Sequence, residues 1–223
     1  MDVQNIIFTL LTIPAVLVAL TFHEYSHGYA AWRLGDPTPR ALGRLSLNPL
    51  KHLDLLGTLS MIFLNFGWAK PVPINTRFFK KPRRDMAIVA MCGPLSNFLL
   101  SLLGAFLYTA CEKGYWYLVM NVSLPTLAAR FLFYTLQFVY IFHYVNLTLG
   151  LFNCIPIPPL DGSRVLMLFL PPRAAIFFIR YERYFSLALI LLLLLGVVSS
   201  GLTAVAVFLS NNMLGLFNLI FGS

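Results

Sequence analysis

The chain has 223 residues, of which 59% are hydrophobic against a globular norm of about 45–50%, and only 11% are charged against about 25%. Too few charged side chains are present to cover a soluble surface, disorder is excluded by the same figures, and three cysteines (Cys92, Cys111, Cys154) do not make a disulfide scaffold. The expected class is an integral membrane protein; its net charge of +8 is assigned to basic loops facing anionic lipid and not to nucleic acid.

Crossing about 30 Å of hydrocarbon as helix takes about 20 apolar residues. In chain order, spans are expected at about 6–32, 86–110, 131–155 and 185–209. The first follows Met-Asp-Val-Gln-Asn, which lacks the basic start of a signal peptide, so it reads as a retained span. The apolar stretch Leu55–Trp68 is short for a crossing and suits a re-entrant or interfacial segment. That choice puts fourteen Lys and Arg on one side and only Lys113 and Arg130 on the other; a full crossing would split them ten against six. The bias of basic loops toward the cytoplasm therefore favours four spans with both ends outside. Leu42–Leu47 and Trp68–Ile74 alternate loosely, consistent with short edge strands or with irregular basic loop. Tyr115, Trp116 and Tyr117 beside Lys113 suit an outer aromatic belt. The whole reads as one all-α polytopic membrane domain over 1–223, with a short re-entrant or interfacial segment at 55–68 and short β-strands near its site.

The chemistry begins with His23-Glu24-Tyr25-Ser26-His27, an H-E-x-x-H sequence at the end of the first expected helix. Spacing of i, i+4 puts two imidazoles on one helix face, as two ligands of a tetrahedral zinc require, and Glu24 can then reach a bound water as general base. At this chain's His and Glu frequencies the motif arises by chance roughly once per thousand such chains. The bland alternative is a polar cluster at a helix end, but ionisable groups at membrane depth are costly and tend to be functional. Two histidines leave a catalytic zinc one protein ligand short. Asp161 is the best-placed acid, following an apolar span across Asn153-Cys-Ile-Pro-Ile-Pro-Pro-Leu-Asp161-Gly162, where three prolines unwind the chain. Taken alone, the segment could equally be a proline-rich exit turn with Asp161 as a helix cap.

These elements resemble those of the site-2 protease family of intramembrane zinc metalloproteases. The resemblance rests on Phe22-His-Glu-Tyr-Ser-His-Gly28, Gly93-Pro94-Leu-Ser-Asn97 and Asn153…Pro-x-Pro…Asp161-Gly162, which occur in the family's order. It covers the compact catalytic core without room for a PDZ or CBS domain. It implies one Zn²⁺ per chain held by His23, His27 and Asp161, with Glu24 activating water. Asn153 would bind substrate backbone or stabilise the oxyanion, although it could instead serve the carbonyls that the prolines free. Gly93 and Asn97 would allow close helix packing and polar contact with substrate near the site.

The expected activity is hydrolysis of peptide bonds within or beside transmembrane segments of other membrane proteins, with the expected strands receiving an unwound substrate by β-augmentation. A prokaryotic cytoplasmic membrane, with the site toward the cytoplasm, is implied. The rivals are an intramembrane metal or ion transporter, for which no repeat is visible, and a pseudoprotease that binds membrane segments without cutting. Cys154 and His143 read as packing or helix hydrogen bonding, His52 as a loop-edge residue, and the sequons at Asn121 and Asn146 as chance.

Overall fold

The structure is a computed structural model and describes residues 3–54, 57, 69–122 and 124–221. Its helices are α1 (Val3–Arg33), α2 (Pro82–Asn121), α3 (Thr126–Asn153), α4 (Asp161–Phe169), α5 (Pro172–Arg180), α6 (Glu182–Leu194) and α7 (Val197–Phe221). A helical turn at Thr38–Ala41 and 3₁₀ turns at Pro49–Lys51 and Thr76–Phe78 punctuate the α1–α2 connection. Among the described residues four helices, α1, α2, α3 and α7, are long and apolar enough to cross a membrane. At about 1.5 Å per residue, the 40 residues of α2 span about 60 Å, twice the hydrocarbon thickness.

The long helices α1, α2 and α3 pack against one another, and α7 packs on α2 and α3. Small residues let them approach. A Cβ at Gly104 would sit 2.9 Å from the Cα of His143, and one at Gly150 2.9 Å from the Phe98 ring, so α2 and α3 meet at glycines.

The fourth long apolar helix is Val197–Phe221 and not 185–209. The leucine-rich run ends at Leu194 because Gly196 adopts φ +75, a left-handed conformation that stops a helix, and its N–H returns to the Leu193 carbonyl. What reads as one span is the short α6 followed by α7.

No β-strand forms among the described residues. Leu42–Leu47 runs as a turn and irregular chain, and one antiparallel bridge joins Leu53 to Ala69. Donors are the reason: Pro71 and Pro73 have no N–H, and the Val72 N–H is given to Glu24. A side chain takes the place of the ladder. The buried Arg44 guanidinium donates to the carbonyls of Lys51, Lys70 and Pro71, clamping the two limbs of the connection. His52 donates to the Ser46 carbonyl, and buried Asp36 accepts from the backbone N–H of Thr38 and Asn75. The expected re-entrant segment, Leu55–Trp68, lies almost entirely outside the described residues.

Candidate metal centre

His23 and His27 stand on one face of α1, and the first residue of α4 brings Asp161 to them. The Nε2 atoms of the two imidazoles are 3.0 Å apart, and Asp161 Oδ2 lies 3.1 Å from His23 Nε2 and 3.2 Å from His27 Nε2. Both histidines are nearly buried, at 5% and 7% exposed.

Local sequence explains how Asp161 reaches this place. After Asn153 the prolines at 156, 158 and 159 stop α3, and turns through Cys154–Leu160 lead into α4. A Cβ at Gly162 would overlap the Cys154 carbonyl, so only glycine lets α4 start this close to the end of α3. Asp161 is in the first turn of α4 and not at its cap, which is Leu160.

The opposite nitrogens of the rings are fixed from behind. His27 Nδ1 lies 2.8 Å from the Val89 carbonyl of α2, which can only accept, so Nδ1 carries the hydrogen. His23 Nδ1 lies 2.7 Å from Asn97 Oδ1. The Asn97 amide is oriented by its NH₂ group, which donates to the Ala19 carbonyl at 3.1 Å and to Asn146 Oδ1 at 3.0 Å; its oxygen therefore accepts from His23 Nδ1. With both Nδ1 atoms protonated, the neutral rings turn bare Nε2 lone pairs toward a carboxylate oxygen.

Three acceptors at this separation repel unless a cation lies among them. A proton on one ring satisfies only part of the cluster. A divalent ion accepts from all three, and Asp161 Oδ2, buried without a conventional hydrogen-bond donor, is the atom left over without one. Bonds of 2.0–2.2 Å around a tetrahedral ion put ligand atoms about 3.3–3.5 Å apart, a few tenths of an ångström wider than seen here. The donor set of two imidazoles and a carboxylate fits zinc.

Around this cluster the remaining expected residues divide. Gly93 of α2 lies directly over the imidazoles: a Cβ there would overlap His27 Cε1 and Nε2 and come 2.7 Å from His23 Cε1. Asn97 is completely buried behind His23, with its polar atoms committed to protein partners. Glu24 is half-buried and its Oε2 accepts the Val72 N–H at 2.9 Å. Asn153 is half-buried at the last turn of α3, and its Nδ2 donates to the Leu149 carbonyl at 3.0 Å. His143 and His52 belong to other networks: His143 meets Ser101 of α2 and Ser210 of α7. Sequence reading did not find Val72, Val89 or Asn146. Backbone groups leave no side-chain signal. Asn146 did leave one, an amide inside an apolar span and two helical turns before Asn153.

The sequence model of peptidase family M50 matches residues 11–196. A Bacillus subtilis (strain 168) protein named "Putative zinc metalloprotease YwhC" is 42% identical over 157 residues, covering 70% of this chain and 68% of that relative. Proteins named "Putative zinc metalloprotease Rip2" from Mycolicibacterium smegmatis and Mycobacterium tuberculosis are 29% and 30% identical, each match covering 70% of this chain and 56% of the relative. No solved structure matches significantly. The H-E-x-x-H pair and the Asp161 that joins it both fall within the matched span, and the chain belongs to peptidase family M50.

Proposed function

We propose that this chain is an intramembrane zinc metalloprotease that hydrolyses peptide bonds within or next to transmembrane segments of other membrane proteins. The observation that carries the reading is the meeting of two oriented Nε2 lone pairs with the Asp161 carboxylate, beside Glu24. His23, His27 and Asp161 would hold one zinc ion per chain. Zinc held there supplies Lewis-acid polarisation of the scissile carbonyl and of the attacking water.

The protein's own groups do the rest. Glu24 follows His23 directly, and the Val72 N–H aims its carboxylate. It takes the proton of the attacking water and delivers it to the leaving amine. Asn153 uses one amide hydrogen on the Leu149 carbonyl, and its second is the proposed donor to the carbonyl oxygen as negative charge develops there. Gly93 keeps the space over the imidazoles free of any side chain. The near-complete burial of His23 and His27 keeps bulk water from the reacting groups.

The excess of Lys and Arg in the connections flanking the site supports a multi-pass protein with the site toward the cytoplasm, and the resemblance to the compact branch of the family, with bacterial relatives, supports a prokaryotic cytoplasmic membrane. The partners are then the bilayer and transmembrane protein substrates.

The test compares detergent-purified wild type with Glu24→Gln on a panel of single-span membrane proteins, read by product mass. Cleavage by wild type alone, abolished by a zinc chelator, supports the reading. Equal cleavage by both proteins would remove Glu24 as the base. A wild type that binds no zinc would overturn the reading altogether.

A further inference from the structure

Behind His23 runs a chain of side-chain amides whose direction is fixed at every step. Asn146 of α3 is completely buried, and its Nδ2 donates to the Phe142 carbonyl at 2.9 Å, so its Oδ1 must be the atom facing Asn97. That oxygen accepts from Asn97 Nδ2 at 3.0 Å, and the Ala19 carbonyl accepts from the same nitrogen at 3.1 Å. Asn97 Oδ1 is thereby turned to His23 Nδ1 at 2.7 Å.

We propose that Asn146 is a positioning residue of the metal centre: by holding the Asn97 amide in one orientation it selects the His23 tautomer that presents a bare Nε2 to Asp161. The inference rests on the proposed role of His23 as a ligand. It concerns a residue two links removed from the site.

The argument turns on what a reversed Asn97 amide would do. Rotated by half a turn, Asn97 would offer NH₂ to His23 Nδ1, which must then be the unprotonated nitrogen. The ring hydrogen moves to Nε2, where His27 Nε2 at 3.0 Å and Asp161 Oδ2 at 3.1 Å await, and the lone pair needed for a metal is lost. The same rotation would bring the Asn97 oxygen against two acceptors, the Ala19 carbonyl and Asn146 Oδ1. Two acceptors, one from α1 and one from α3, oppose it; without Asn146 only one remains. His27 needs no such device, because a backbone carbonyl that cannot flip, Val89, holds its Nδ1. His23 alone depends on a side chain that can turn over, and Asn146 is what stops it.

A packing role for Asn146 would spread its effects, whereas the positioning role confines them to His23 and the His27 ring that touches it. The test uses the full chain, ¹⁵N-labelled at histidine, in nanodiscs, with His52 and His143 as internal controls. In zinc-free wild type His23 is expected as the single Nδ1–H form. In Asn146→Leu, close in size but without an acceptor, the His23 ring nitrogens should exchange between tautomers, with His27 Nε2 responding at 3.0 Å, while His52 and His143 keep their signals. Zinc affinity, measured by competition with a chelator, should fall about 10–100-fold, as for loss of an outer-shell partner. Asn146→Asp, able in its neutral form to accept from Asn97 and donate to Phe142, should restore both readouts.

Should Asn146→Leu fail to fold, Asn146→Ser removes the same acceptor, since its short hydroxyl bonds back to its own helix. A single unchanged His23 tautomer with wild-type zinc affinity in the folded variant would overturn the proposal and leave the metal reading standing. Signals that move for all four histidines together would reduce Asn146 to packing and overturn it too. Altered tautomers in a protein whose wild type takes up no zinc would uphold the tautomer lock and sink the metal reading instead.

Discussion

Glu24 of α1 and Val72 of the α1–α2 connection are joined by a hydrogen bond, the Val72 N–H donating to the Glu24 carboxylate at 2.9 Å. The proposed general base is thus aimed by a segment outside its own helix, and that segment is held against α1 where Gly28 leaves room. A Cβ at Gly28 would lie 3.3 Å from the Val72 side chain and 3.0 Å from that of Leu45.

Glu24→Gln keeps an oxygen for the Val72 N–H and removes the basic carboxylate. The fold and zinc content should stay as in wild type, and kcat should fall by about 10²–10⁴, the usual share of acid–base catalysis. Zinc per chain by elemental analysis and product formation by mass spectrometry check both halves.

Gly93→Ala adds a methyl group that overlaps both imidazoles, so α1 and α2 must part. Overpacking of this kind costs about 1–3 kcal/mol. The added cost falls on the ligands themselves, and zinc affinity should drop more than thermal stability does. Chelator competition beside a thermal melt separates the two.

Arg44→Ala removes three hydrogen bonds to carbonyls of the connection at once. Hydrogen bonds from a charged donor are worth about 1.5–3 kcal/mol each at most, and the loss should be local. Limited proteolysis should cut between residues 44 and 75 much faster in the variant, while cleavage elsewhere is unchanged.

Zinc should stabilise the folded chain by linkage, by about 2.7 kcal/mol at a free concentration one hundred times Kd. The melting temperature of wild type should therefore rise with added zinc and fall on chelation. Asp161→Ala should melt at one temperature under both conditions. A zinc response in that variant equal to that of wild type would remove Asp161 from the ligand set.

What could be read from sequence follows from what each feature depends on. His23, Glu24 and His27 were legible because one helix fixes their mutual geometry, and Asp161 because the prolines before it announce an unwound chain. The long helices α1, α2 and α3 were legible from apolar length. The fourth was displaced because leucines continue through residue 195 and only the backbone angle of Gly196 shows where the helix stops. The strands failed for want of donors, one of them taken by a glutamate far away in sequence. Asn97 and Asn146 were legible as polar residues in apolar spans. Their pairing was not, because it depends on how α2 is rotated against α1 and α3.

That rotation has a consequence for the molecule as a machine. Three backbone carbonyls, at Ala19, Val89 and Phe142, one on each of α1, α2 and α3, decide which way the polar groups of the centre point. A helix advances about 100° per residue, so a slip of one residue in any of the three would carry its carbonyl off the line. The centre is therefore a gauge of helix phase. A turn of any one of these helices about its own axis would undo the centre even if the helices stayed in contact.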